Sequence, residues 1–270
     1  MASAGRRRPG RGAVGHGRRR RRGGDGASEY GRGRVTEHSA APGVEDWPAA
    51  WRPVPRRDDV DGLDRPVWHE GASTRGESVI RVRADILGIK PPLWRRLELR
   101  GSLTLDKVHP VFAAAFGWAP EAEYRFCDVV RVDGATRLGC LFVNEWTRGR
   151  GHLGPQEWTV RLDQVLSGPR SRLRYTYGRP GFGVTVVAED VMPAPPAEVG
   201  EVPAARLLTG RRAGPPQDFA SAAMYDMATQ GRFPASLADL LHISSLPEDY
   251  DPEAIDLALL DARVRAAAES

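Results

Sequence analysis

Hydrophobic and polar residues alternate from Val79 to Leu87. Ile80, Val82, Ala84 and Ile86 share one face, and Arg81, Arg83 and Asp85 share the other. A period of two over this length predicts a half-buried strand. Gly88 ends it, and Pro91-Pro92 hold the next stretch extended, because each ring fixes φ and disfavours helix in the residue before it. Alternation resumes from Trp94 to Arg100, with Arg95, Leu97 and Leu99 on one side and Trp94, Arg96 and Glu98 on the other. A strand tryptophan is commonly core, so Trp94 is expected inside, with its flanking arginines reaching outward. Thr104 is a candidate N-cap whose hydroxyl can accept from an early helical N–H. Leu105, Val108, Phe112 and Ala115 or Phe116 then recur at helical spacing, and Gly117 stands where a helix commonly ends. Pro110 opposes this helix by about 3 kcal/mol, which predicts a start nearer Asp106 or a kink.

Further along, Tyr124 to Val132 and Arg137 to Val143 read as strands joined at Asp133-Gly134, a strong hairpin turn. Asn144 to Pro155 reads as a mobile loop, Glu157 to Leu162 as another strand, and Leu162 to Leu166 as a short helix or turn. Arg172 to Tyr177 alternates, Gly178-Arg179-Pro180-Gly181 turns the chain, and Phe182 to Val187 returns. Residues 190–205 read as a Pro/Ala linker. At the C-terminus, Asp251 suits an N-cap, Pro252 the first helical position and Glu253 the helix dipole, with Ile255, Leu259, Ala262 and Ala266 on one face. The pattern predicts an α+β protein. A single domain over 77–266, of antiparallel strands and a few packed helices, follows a disordered extension over 1–76.

Three separated blocks resemble the plasmid pRiA4b open-reading-frame-3-like family. The first is Pro91-Pro92-Leu93-Trp94-Arg95-Arg96, followed by Leu103-Thr104-Leu105, His109 and Phe116-Gly117-Trp118. The second is Gly210-Arg211-Arg212-Ala213-Gly214-Pro215-Pro216-Gln217-Asp218, and the third runs from Leu246 to Glu253. The resemblance spans Val79 to Arg265 and implies an α+β fold, with no particular activity. Its members are often passengers of insertion elements. It also implies an acidic Asp-Phe-Gly-Asp run followed by a Trp and a His, where this chain has Gly178-Arg179-Pro180-Gly181, Gly183 and Thr185. A histidine-bearing segment expected near Tyr124-Arg125-Phe126 has no histidine here. In the second block the family's acidic residue and cysteine on either side of the Asp are Gln217 and Phe219, which leaves Asp218 as the surviving carboxylate.

Charge divides the chain. Residues 1–34 carry 11 Arg and two acidic residues, a net +9, whereas the whole carries +4, so the remainder is −5. The Arg6 to Arg22 clusters cannot bury enough surface to fold. They suit a nucleic-acid arm, since Arg neutralises phosphates and releases counterions, or a plain extension. Arg outnumbers Lys 37 to 2, a bias that GC-rich coding alone produces. Trp47-Pro48, Trp51, Pro53-Val54-Pro55 and Pro66-Val67-Trp68 set aromatics among prolines, as in a peptide that docks onto a partner or onto its own domain, or in a linker. Cys127 and Cys140 form no CxxC pair, no apolar run approaches the roughly 20 residues a membrane helix needs, and no apolar segment follows the basic N-terminus. Cytoplasm is the expected compartment, with no membrane partner.

Candidate chemistry is sparse. His109, Cys127 and Cys140 match no standard zinc spacing, and no metal or cofactor is expected. There is no phosphate-binding GxxxxGK[ST] loop, GxSxG elbow or HExxH helix. Arg95 and Arg96 beside Trp94 can grip phosphate or stack on bases. A groove rimmed by Pro91–Arg96 and Arg211–Asp218 is expected, with Trp94, Arg95, Arg96, Arg211, Arg212 and Asp218 as candidate binding residues. The expectation is a non-enzymatic binding or accessory module whose partner is a protein or, through Arg6–Arg22, a nucleic acid. The rival is a metal-assisted hydrolase or nuclease using Asp218, His109 and carboxylates such as Glu123.

Overall fold

The computed structural model describes residues 77–179, 181–195, 202–217, 219, 221–232 and 246–270. The readings made for 1–76, and for Asp218, lie outside the described residues. Seven strands form one antiparallel sheet: β1 (Ser78–Ile86), β2 (Trp94–Arg100), β3 (Tyr124–Val132), β4 (Ala135–Phe142), β5 (Arg172–Tyr177), β6 (Phe182–Pro193) and β7 (Ala205–Arg211), in the order β4-β3-β5-β6-β1-β2-β7. Helices α1 (Leu105–Phe116), α2 (Glu145–Arg148), α3 (Leu162–Val165), α4 (Ala222–Thr229) and α5 (Leu257–Glu269) complete the α+β fold. No helix among the described residues is long and apolar enough to cross a membrane.

Alternation decides the two faces of the sheet. Ile80, Val82 and Ala84 of β1 meet Leu99, Leu97 and Arg95 of β2, and Val191, Ala188 and Val186 of β6. This face is sealed by Val108, Phe112 and Phe116 of α1, Tyr225 of α4 and Val264 of α5. Burying one such large apolar side chain contributes about 1.5–3 kcal/mol. The aromatic core is continuous: Phe126 stacks on Tyr175 at 5.0 Å, and Trp118 on Tyr177 at 4.4 Å. Two-residue turns suit the strand twist, and Asp133 (φ 52°) and Gly134 (φ 76°) are both left-handed as that hairpin requires.

Several expectations need correction. Thr104 stands at the N-cap without a side-chain cap bond, and α1 begins at Leu105 with Pro110 inside it, because eight of its residues are buried and their packing outweighs the proline. Asn144–Pro155 is not a bare loop. Asn144 Oδ1 accepts from Thr147 N at 3.0 Å while Thr147 Oγ1 accepts from Asn144 N at 2.9 Å, which closes a capping box on α2. Glu157–Thr159 is a 3₁₀ turn rather than a strand, and the backbone pairs there only at Val143–Gln156 and Thr104–Arg161. The 190–205 linker yields its start to β6, and β7 follows at Ala205.

The last helix starts later than its pattern implied. Asp251 caps only a turn, with Oδ1 accepting from Glu253 N at 2.8 Å. Asp256 caps α5 by accepting from Leu259 N at 2.9 Å. Val264 is therefore the buried residue, Leu257, Leu260 and Ala268 lie against the core, and Leu259 stays 47% exposed. Asp261 Oδ1 also accepts from Leu207 N at 2.7 Å, which ties α5 to the edge strand β7.

Candidate functional site

The three sequence blocks meet at one end of the sheet. Strand register brings Trp94 opposite Arg211, so the β1–β2 connection lies beside the segment that leaves β7. Helix α1 ends there as well. Gly117 (φ 79°) takes the left-handed cap position and turns Trp118 back toward the sheet. Trp118 Nε1 donates to Pro215 O at 2.8 Å, and Ala119 N to Gln217 Oε1 at 3.1 Å. Gln217, standing where the resemblance implies an acidic residue, thus serves as an acceptor within the chain. Gly214 passes so close to the Phe116 carbonyl that a Cβ would overlap its oxygen. The third block joins through Tyr250, whose hydroxyl pairs with Tyr225 at 2.8 Å and donates to Gly214 O at 3.1 Å.

Two buried arginines clamp this junction. Arg95 is fully buried on the core face, which corrects the expectation that it reaches outward. Strand parity aims its Cβ inward, and three backbone carbonyls receive it: Nε donates to Ala115 O at 2.7 Å, and Nη1 to Trp94 O at 2.9 Å and Arg211 O at 3.1 Å. Its guanidinium lies 5.2 Å from the Phe116 ring centre, Nη2 lacks a partner, and burial pulls its pKa down to about 10. Arg212 is 3% exposed. Its Nη1 donates to Pro91 O at 3.0 Å, and Nε lies 2.8 Å from Glu253 Oε1, an ion pair without hydrogen-bond alignment.

Trp94, expected in the core, sits half-buried on the opposite face, with the Arg83 and Arg96 guanidiniums 4.4 and 5.4 Å from its ring centre. Arg96 is also paired with Glu189 at 2.7 Å, and Arg211 is exposed. The six candidate binding residues therefore divide. Arg95 and Arg212 join the blocks from within, and Trp94, Arg96 and Arg211 belong to the outer sheet face. Asp218 lies outside the described residues.

Beside the junction, Phe116, Pro215, Pro216, Tyr250, Leu259 and Leu260 help line an open groove of about 290 Å³; Pro91–Arg96, expected as its other rim, does not line it, and the last helix supplies that side instead. A smaller hollow of about 160 Å³ lies between Tyr177, Arg179, Phe182, Gln217 and Phe219. It borders the turn where the family resemblance implied an acidic run, and here Arg179 contributes the opposite charge.

His109 lies elsewhere, in a buried network that offers no open coordination position. Its Nε2–H donates to Pro120 O at 2.7 Å, so Nδ1 accepts from Tyr175 Oη at 2.9 Å. The ring stacks on Tyr124 at 3.5 Å, and burial lowers its pKa to about 4, so it stays neutral and fully engaged. Tyr124 Oη donates to Glu157 Oε2 at 2.8 Å, and Asn144 Nδ2 to Glu157 Oε1 at 3.2 Å. Burial nonetheless pushes the Glu157 carboxyl up to about 8, because desolvation outweighs those two bonds and the nearby Asp106 charge adds to it. Glu157 was invisible in sequence, since a strand reading of 157–162 turns it away from Trp158. Glu123, paired with Arg150, has its carboxyl held below the usual range by that hydrogen bond. Burial pushes the Cys127 thiol up to about 12 and the Cys140 thiol up to about 11. No group of three or more His, Cys, Asp or Glu side chains among the described residues is placed to hold a metal ion.

An antiparallel sheet packed on one face by helices, with its three sequence blocks clamped at one end, defines an α+β protein of a distinct type. The chain belongs to the Plasmid pRiA4b ORF-3-like protein family, whose model matches residues 78–258. The fold resembles that of MM3350, a protein of unknown function from Methanosarcina mazei Go1, with a TM-score of 0.51 and 22% identity over 67% of this chain and 97% of that one. No curated protein matches the sequence.

Proposed function

We propose that this chain is a non-enzymatic binding module that takes a short peptide bearing proline and aromatic residues into the groove beside Pro215-Pro216. The observation that carries this reading is that the groove takes lining residues from each family block: Phe116 from the end of the first, Pro215 and Pro216 from the second and Tyr250 from the third. Aromatic-lined clefts with prolines suit extended, proline-bearing segments, which lose little entropy on docking. Leu259, at 47% exposure, gives the rim an uncovered apolar contact. The buried arginines and Tyr250 contribute a fixed backbone frame rather than a reacting group. The chain's own Trp47-Pro48 to Trp68 segment has the same chemistry as the proposed occupant. The family resemblance supports an accessory role beside mobile-element-derived genes, and two unpaired cysteines support a reducing cytoplasm.

The test is a peptide array probed with the full chain, including the sequence of residues 44–70. Trp-Pro and Pro-x-Pro peptides are expected to bind with Kd on the order of micromolar, weakened at least about tenfold by Leu259→Asp. Absence of peptide binding, binding indifferent to Leu259→Asp, or turnover of a nucleic acid or ester lost in Asp218→Ala overturns the reading.

A further inference from the structure

The face of the sheet turned away from the helices carries a concentrated positive charge. Strand register across β3, β5, β6, β1, β2 and β7 directs nine arginines and four carboxylates to it. The excess is positive although residues 35–270 as a whole are net −5. The carboxylates are already engaged or local. Glu98 holds both Arg81 and Arg206, Asp85 holds Arg83, Glu189 holds Arg96, and Asp190 accepts from the neighbouring Val191 N. Arg125, Arg172, Arg174 and Arg211 have no acidic partner within salt-bridge distance among the described residues. Even the paired arginines remain open to an approaching anion: the side chains of Arg81, Arg83, Arg96 and Arg206 are 39%, 34%, 32% and 44% exposed.

Among these charges stands Trp94, half-buried, with the Arg83 and Arg96 guanidiniums over its ring. Unpaired bases stack on aromatic rings and guanidinium planes while arginines follow the phosphates. A broad sheet face presents no helix or ribbon to the major groove of a duplex. We infer that this outer face, centred on Trp94 and the arginines of β1, β2, β3 and β5, binds single-stranded nucleic acid. The surface is distinct from the peptide groove, so either reading can fail alone.

The experiment is fluorescence anisotropy of labelled dT20 and its duplex with dA20, titrated with the full chain at two salt concentrations. Because Arg6–Arg22 attract any polyanion, the comparison is made among full chains: the natural one, one with Arg18 to Arg22 replaced by Ser, Trp94→Ala, and the triple Arg125→Glu, Arg172→Glu, Arg211→Glu. Circular dichroism and the melting temperature verify that each variant folds. The tail variant is expected to keep binding dT20. The triple variant is expected to lose at least about tenfold in affinity and to lower the salt slope by about two. Trp94→Ala is expected to lose about tenfold for dT20 and little for heparin. Binding that follows the tail and ignores the triple variant overturns the inference. So does equal preference for the duplex, or a Trp94→Ala variant that binds dT20 unchanged, which would leave only nonspecific polyanion attraction.

Discussion

Truncating Arg95 to alanine tests whether the junction is held from within. The change removes three hydrogen bonds from a charged donor, to Ala115 O, Trp94 O and Arg211 O. Bonds to charged groups contribute about 1.5–3 kcal/mol each, or about 4–9 kcal/mol together. Part of this is offset, because the buried guanidinium, its pKa drawn down from the ordinary arginine value to about 10, carries a desolvation cost of about 3 kcal/mol. The lost aliphatic stem leaves a cavity that adds about 2 kcal/mol to the damage. Arg95→Ala is therefore expected to lose about 3–8 kcal/mol, a fall of roughly 10–25 °C in melting temperature for a domain of this size. Urea titration followed by tryptophan fluorescence reads this directly, with an unchanged slope if the unfolded state is unaffected. Arg95→Met keeps the stem and is expected to recover the cavity part of the loss. A change within about 0.5 kcal/mol for Arg95→Ala would refute the reasoning, since that is the range of an ordinary surface substitution.

Three further predictions follow from buried groups and close contacts. Glu157 has its pKa raised from 4.5 to about 8, so between those values the folded state holds a proton that the unfolded state has lost, and stability falls as pH rises. His109, lowered from 6.5 to about 4, has the opposite slope between 4 and 6.5. The two offset up to pH 6.5, and from there to pH 8 stability is expected to drop by about 2 kcal/mol; urea melts of Glu157→Gln should show that drop removed. Gly214→Ala forces a methyl against the Phe116 carbonyl, and thermal melts should record a loss of about 1–3 kcal/mol. Asp261→Ala releases the Leu207 amide; equilibrium unfolding should weaken by about 1–3 kcal/mol, and hydrogen exchange should speed selectively along β7.

Local pattern was enough to determine much of the sheet, because side-chain direction in a strand has a period of two and burial follows it directly. Val79–Leu87, Trp94–Arg100 and the Asp133-Gly134 hairpin were legible this way, and so was Gly117 as the end of α1. Parity even placed Arg95 with Leu97 and Leu99. What parity could not supply was the set of carbonyls from α1, β2 and β7 that makes a buried guanidinium tolerable, so average behaviour pointed it outward and Trp94 inward. The wording of the three blocks likewise identified the family. Their meeting at one groove depended on the β2–β7 register and on the close pass of Gly214 over Phe116. Glu157 and the start of α5 were hidden for the same reason. Which carboxyl is entombed, and which helical face turns inward, is decided by neighbours distant in the chain, and a local period carries no record of them.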